Sequence, residues 1–200
     1  VIKAYEEDGL TNPTAVASCM KHYLGYSASR TGKDRTPIYL PEIELREYYL
    51  PQFRAAVKAG ASTIMINSSE INGEPVHSNK YLLTDVLRKE LGFEGVIVTD
   101  WEDIIRLHKW HSVAATPRQA VAMGINAGID MSMVPSDFSF YDLLLEAVKA
   151  GEVKMSRIDD AVRRILILKM KTGLFENPYP EAAAAKNFGL PEYQTLALNA

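Results

Sequence analysis

The sequence predicts an α/β protein built on a parallel sheet, and three observations carry that expectation. Short apolar runs alternate with longer amphipathic stretches, which is the βαβα pattern of a sheet covered by helices. The clearest run, Gly95-Val96-Ile97-Val98-Thr99-Asp100-Trp101, is apolar on both faces, as a strand buried on both sides must be, and it stops at a carboxylate and an indole. Glycines stand where helices should end, at Gly60, Gly92 and Gly173.

Taken in order, residues 15–20 read as a first strand ending at Lys21-His22. A loop with Gly25, Gly32 and Pro37 follows, charged around Lys33-Asp34-Arg35. Pro41 opens a helix whose Glu42, Leu45, Tyr48, Tyr49, Phe53, Ala56 and Val57 share one face. Residues 61–67 form the second strand, 68–79 its loop with an Asn72-Gly73 turn, and 81–91 the next helix. The strand ending at Asp100 is the third. A short helical segment follows from Glu102, then a helix opened by Thr116-Pro117-Arg118-Gln119, which combines an N-cap, a proline at the first helical position and a glutamine three residues on. Residues 128–133 are the last strand, followed by helices at 138–150 and 157–172, the second capped by Ser156.

Four strand–helix units make half of a (β/α)8 barrel of the TIM type. The rival, a doubly wound sheet, calls for a glycine-rich phosphate turn after its first strand, and His22-Tyr23-Leu24-Gly25 is not one. Lys21-His22, Met65 with Asn67, Asp100-Trp101, and Asp130 with Met131 are all placed at strand ends, and gathering a site from several strand ends is the barrel habit. After Gly173 the texture changes to Asn177-Pro178, Pro180, four alanines and a new helical start near Pro191. Residues 1–176 are therefore expected to be the C-terminal half of the barrel, and 177–200 an interdomain linker with the start of a second domain. The missing four units are expected to precede Val1. Four strands alone would leave open edges, so the 200 residues by themselves are expected neither to fold stably nor to be active.

A 47% apolar content and a net charge of −3 fit an ordinary globular chain and leave no basic footprint for nucleic acid. No apolar run is long enough to span a membrane. Cys19 stands alone, which excludes a disulfide framework or a cysteine-based metal site. His108 and His111 are three apart but lack a third ligand at suitable spacing, so no metal is expected.

Several side chains could carry chemistry, each with a plainer alternative. Asp100 at a strand exit is either a catalytic carboxylate or the cap of the next helix. Lys21 and His22 are an ion pair with a satisfied imidazole, or a Schiff-base lysine, or a pair gripping ligand hydroxyls. Met65 reads mainly as core. Asn67, Asn72, Asn79 and His77 offer groups that suit sugar hydroxyls, or serve ordinary turn chemistry. Trp101 is either a core indole or a flat face for a pyranose ring.

Several motifs in order resemble glycoside hydrolase family 3: Lys-His-Tyr at 21–23, Gly-Lys-Asp-Arg-Thr-Pro at 32–37, Leu-Arg-Glu-Tyr-Tyr-Leu-Pro-Gln-Phe at 45–53, and Ile-Asn-Gly-Glu-Pro-Val-His-Ser-Asn at 71–79. They continue with Leu-Leu-Thr-Asp-Val-Leu-Arg at 82–88, Val-Thr-Asp-Trp at 98–101, Gly-Ile-Asp-Met-Ser-Met at 128–133 and Arg-Ile-Asp-Asp-Ala-Val-Arg-Arg-Ile-Leu at 157–166. The likeness spans about residues 15–180, nearest to the β-glucosidase-type members. It implies a retaining hydrolase that releases terminal, β-D-glucosyl sugars from oligosaccharides or β-glucosides through a glycosyl-aspartate, with no cofactor. By the same resemblance Asp100 is the nucleophile, Lys21 and His22 hold hydroxyls of the non-reducing sugar, Met65 lines its subsite, and Trp101 packs beside the nucleophile. Arg35 is expected to shape its loop. It implies a periplasmic or secreted enzyme. Two departures stand out. Ser68 replaces an aromatic residue frequent three positions after the methionine, and Asp34-Arg35-Thr36 lacks the histidine of the N-acetylglucosaminidase branch. The acid/base is therefore expected outside this chain, on a second domain, and not at Glu70, Glu102 or Asp103. The rival readings are a Schiff-base aldolase acting through Lys21 and a non-catalytic sugar-binding barrel.

Overall fold

The computed structural model describes residues 1–179 and 182–200; Pro180, part of the expected break after Gly173, lies outside the described residues. In chain order the strands are β1 (Cys19–Tyr23), β2 (Thr63–Ile66), β3 (Glu70–Ile71), β4 (Glu74–Pro75), β5 (Val96–Trp101) and β6 (Met131–Met133). The helices are α1 (Ile2–Tyr5), α2 (Glu42–Glu44), α3 (Pro51–Lys58), α4 (Asp103–Lys109), α5 (Pro117–Ala127), α6 (Ser139–Lys149), α7 (Met155–Lys171) and α8 (Pro191–Asn199). A wider coil with i→i+5 hydrogen bonds joins α2 to α3 over Leu45–Tyr49, and a second one forms Tyr81–Glu90.

Four strands form one parallel sheet in the order β1-β2-β5-β6. Strand order follows chain order without reversal. A doubly wound sheet reverses at a switch point, so this order is that of a barrel wall. On the helix-facing side Ile64, Ile66 and Ile97 are fully buried and meet Leu83, Leu87 and Ile129 in the main core. Alternation along the strands puts the other set on the opposite face: exposed Cys19 and Lys21, half-buried Met65, and Val98, Asp100 and exposed Met131. Register places Met65 beside Val98, and Val98 beside Met131.

Three boundaries differ from the sequence reading, each for a local reason. The first strand starts at Cys19, because residues 15–18 are bonded elsewhere: Val16 N–H donates to Tyr5 C=O, and Ser18 N–H donates to the Glu6 carboxylate at 2.8 Å. The same carboxylate accepts from Ser62 N–H at 2.8 Å and from both serine hydroxyls, tying the entrances of β1 and β2 together. Lys21-His22 thus lies within β1 rather than beyond it. Asp130 stands at the entrance of the short β6, at the opposite end of the sheet from Asp100, and so is not a strand-exit residue. Helix α7 begins at Met155, with Lys154 as its extended cap, so Ser156 lies inside the helix and does not cap it.

Elsewhere the local signals are realised. Thr116 Oγ1 accepts from Gln119 N–H, while Gln119 Oε1 accepts from Ala115 N–H at 2.7 Å, which fixes the start of α5. Asn72 and Gly73 take the positive φ values of 52° and 86° that a tight β3–β4 turn needs. Gly95 enters β5 where a Cβ would stand 2.2 Å from the Ser62 carbonyl oxygen, so only glycine allows that approach.

Candidate active site

The C-terminal ends of the strands bring a group of ionisable side chains together. Asp100, second to last in β5, is 20% exposed at its side chain. Its Oδ1 accepts from Trp101 N–H at 2.6 Å and lies 3.2 Å from a terminal nitrogen of Arg35. Its Oδ2 accepts from Ser68 Oγ at 3.1 Å and lies 3.6 Å from His22 Nε2. Burial pushes this carboxyl upward, but the Trp101 amide, the Arg35 guanidinium, the Ser68 hydroxyl and His22 together outweigh it and hold it below the usual carboxylate range. Asp100 is an anion at any ordinary pH and does not cap α4.

His22 packs its ring against Tyr26, with centroids 4.5 Å apart. Burial lowers its pKa more than neighbouring Asp100 raises it, and Lys21 adds to the lowering, so the imidazole is neutral at pH 7. Lys21 is exposed on β1. Met65 is half-buried on the open face of β2 beside Val98, and Trp101, the residue after Asp100, has 49% of its surface exposed. His22 thus meets the carboxylate and the Trp101 amide bonds it, while Lys21 and Met65 stand on the neighbouring strands β1 and β2.

Asn67 does not join them. It is fully buried, its amide donating to Leu24 C=O at 2.8 Å and its carbonyl accepting from Ser69 N–H at 3.0 Å. Both ends of the side chain are used in shaping the exit of β2, and none is left for a ligand. Asn72 clamps the backbone of Leu40 through two hydrogen bonds, and Asn79 bonds Leu82 N–H and Glu74. These two are turn and loop chemistry. His108 Nδ1 faces Ala114 C=O and His111 Nδ1 lies 3.5 Å from Glu70, so the two histidines point to different partners. Among the described residues no three His, Cys, Asp or Glu side chains converge as a metal site.

Sequence reasoning missed a second layer. Arg35 does more than shape its loop: one terminal nitrogen approaches Asp100, and the other donates to Asp103 Oδ1 at 2.8 Å. Asp103, first residue of α4 and 3% exposed, also accepts from Arg106 at 3.0 Å, while its Oδ2 faces buried His77 Nε2 at 3.6 Å. Neither of these last two atoms has a hydrogen-bond partner among the described residues. Burial drives the Asp103 pKa up to about 6 and that of His77 down to about 3. A carboxylate three residues after Asp100, and an arginine in the Lys33–Arg35 charge cluster, were the available signals. Nothing in the spacing showed that they meet.

The arrangement offers one partly accessible, firmly ionised carboxylate, a neutral imidazole, an ammonium group and an indole at the end of a parallel sheet. Such a site can deliver a nucleophile to a polar, uncharged ring. Over 179 residues the chain is 53% identical to the lysosomal beta glucosidase of Dictyostelium discoideum, covering 89% of this chain and 22% of that protein. It is 36% identical to the periplasmic beta-glucosidase of Salmonella typhimurium, covering 90% of this chain and 23% of that one. The chain therefore spans less than a quarter of the length of these curated relatives. Among solved structures, a β-glucosidase from Erythrobacter marinus superposes with a TM-score of 0.92 at 33% identity, covering 98% of this chain and 26% of that one. The model of the glycosyl hydrolase family 3 N terminal domain matches residues 3–168, and the chain belongs to that family.

Proposed function

We propose that the protein carrying this chain is a retaining glycoside hydrolase that releases terminal β-D-glucosyl units from oligosaccharides or β-glucosides, with Asp100 as nucleophile. The observation that supports this most is the state of Asp100: ionised, held by Arg35, Ser68 and the Trp101 amide, yet partly open at the strand exit. In the first step an Asp100 oxygen bonds to the anomeric carbon as the glycosidic C–O bond breaks, and the leaving oxygen takes a proton from a second carboxyl group. Water, deprotonated by that same group, then releases the sugar and restores the aspartate. The chemistry uses no cofactor.

The second carboxyl must stand about 5–5.5 Å from the nucleophile and face the leaving group. Asp103 is buried against Arg35 and Arg106, and Glu70 is turned toward His111, so neither suits the task. The acid/base is assigned to a part of the polypeptide outside these residues. Lys21 and His22 hold hydroxyls of the terminal sugar, while Met65 and Trp101 supply its apolar walls. An exposed Lys21 lacks the desolvated pocket that activates a Schiff-base lysine, which disfavours an aldolase.

The test uses the full-length protein and a 2-deoxy-2-fluoro-β-glucoside, which slows the second step. The sugar is expected on the peptide containing Asp100. Labelling at Glu70 or Glu102, borohydride trapping of a substrate on Lys21, or failure to turn over any aryl glycoside would each overturn the reading.

A further inference from the structure

Asp103 is held in a way that starting a helix does not require. Its hydrogen bonds run to Arg35 and Arg106, with the Ser68 hydroxyl also facing it, rather than to the first amides of α4. The guanidinium of Arg35 is thereby shared between two carboxylates, one buried and one open. A guanidinium is a rigid planar fork, so anchoring one prong fixes where the other points.

Resting on the assignment of Asp100 as nucleophile, we infer that Asp103 is a positioning residue: through Arg35 it sets the geometry of the cation on Asp100, and by gaining or losing its own charge it sets how much of that positive field the nucleophile feels. When Asp103 is ionised, Arg35 divides its charge between two anions and leaves Asp100 the stronger nucleophile. When Asp103 is protonated, Arg35 acts on Asp100 alone and damps its attack. Asp103 changes charge near pH 6, whereas Asp100 stays ionised throughout that range.

The groups that face the pair come from every neighbouring element. Arg35 and Asp34 come from the loop after β1, and His22 from β1 itself. Ser68 follows β2, and His77 follows β4. Arg106 lies on α4, and His111, paired with Glu70, adds positive field near His77 when protonated. Arg106 touches Asp103 and makes no hydrogen bond to Asp100 among the described residues, so it reaches Asp100 only through Asp103.

The experiment measures the rate at which 2,4-dinitrophenyl 2-deoxy-2-fluoro-β-glucoside inactivates the full-length enzyme, as a function of pH. Dinitrophenolate leaves without a proton, so the acid/base is silent and the profile reads the nucleophile's side of the reaction. The wild-type rate should rise to a plateau through an apparent pKa near 6. Asp103→Asn should lower the plateau by about ten- to a hundredfold, the effect of a misplaced reacting group, and flatten the profile. Arg106→Gln removes a cation from Asp103 and should move the limb to higher pH, which keeps the inference testable if the asparagine variant fails to fold. A wild-type profile without that limb, a limb that persists in Asp103→Asn, or a limb that Arg106→Gln leaves in place would overturn it. Sugar found anywhere but on Asp100 would instead overturn the nucleophile assignment, while sugar on Asp100 with an unchanged Asp103→Asn profile would overturn this inference alone.

Discussion

Two aspartates at opposite ends of the sheet show what separates a saturated carboxylate from an open one. Asp130, at the entrance of β6, has a side chain with no exposed surface. Its Oδ2 accepts from Ile97 N–H at 2.9 Å and from Arg88 at 2.5 Å, and its Oδ1 accepts from Arg157 at 2.5 Å. Arg88 in turn donates to the carbonyls of Phe93 and Gly95, and Arg157 to those of Ile125 and Ile129. Every contact ends in backbone or in another fixed charge. Asp100 has a similar number of neighbours, but apart from the Trp101 amide they stand at longer range, and its side chain is partly open to solvent. The saturated carboxylate clamps β5, β6 and α7 together; the open one keeps one side free. Barrels commonly divide their two ends in this way, with stability at the strand entrances and chemistry at the exits.

Substitutions can break this contrast from either side. Asp100→Ala in the full-length protein should lower kcat by about 10⁴-fold or more, as loss of a catalytic nucleophile does. Arg35 keeps Asp34 and Asp103 as partners, so the thermal midpoint should stay close to wild type. Comparable loss of stability would make Asp100 a second clamp. Asp130→Ala leaves Arg88 without its anion and Arg157 with Asp160 alone, and should destabilise by roughly 3–5 kcal/mol in denaturant titrations, with kcat of the folded fraction little changed. Intact stability in that variant would mean that the carbonyls suffice for Arg88, and the carbonyls with Asp160 for Arg157.

A smaller effect is expected at Ser68→Ala. Loss of one neutral-to-anion hydrogen bond corresponds to about 1.5–3 kcal/mol where it is fully desolvated, and less at this part-exposed site, so a fall in kcat of about tenfold is the expected scale. An unchanged kcat would remove Ser68 from the site. A further effect concerns stability against pH. Asp103 binds its proton more tightly when folded, so its contribution favours the fold as pH falls through about 6 toward 3.8. His77 resists protonation when folded, so its contribution disfavours the fold as pH falls from 6.5 toward 3. The two oppose each other over the same range. His77→Gln should therefore gain stability relative to wild type on acidification from pH 6.5 to 4, by up to about 1.4 kcal/mol per unit. Parallel pH curves for the two proteins would show that the histidine is not buried neutral.

The fold was legible because its signals are local. The run from Val96 to Asp100, the Thr116 cap and the Asn72-Gly73 turn each act within a few residues of themselves. The strand-exit aspartate was legible for the same reason. What the sequence hid is contact across the fold. Asn67 looked available because it stands at a strand exit, yet Leu24, on the neighbouring chain segment, uses its amide. Asp130 looked like a strand end because β6 is short and its start ambiguous, and only the approach of Arg88 and Arg157 from two helices reveals its task. Asp103 and Arg35 lie 68 residues apart, and no periodicity encodes their meeting.

Arg35 itself sits at φ 60°, in the left-handed region that an ordinary side chain occupies at a penalty of about 1 kcal/mol or more. Its backbone would be more at ease with glycine, while its side chain is irreplaceable by any other type that must bridge two carboxylates. The position is therefore under two contrary demands, and mutational drift should expose them. In a descendant relieved of the need to control Asp100, glycine is the replacement that the loop itself favours. A descendant that still hydrolyses by this route should tolerate changes all around the loop before it gives up the arginine.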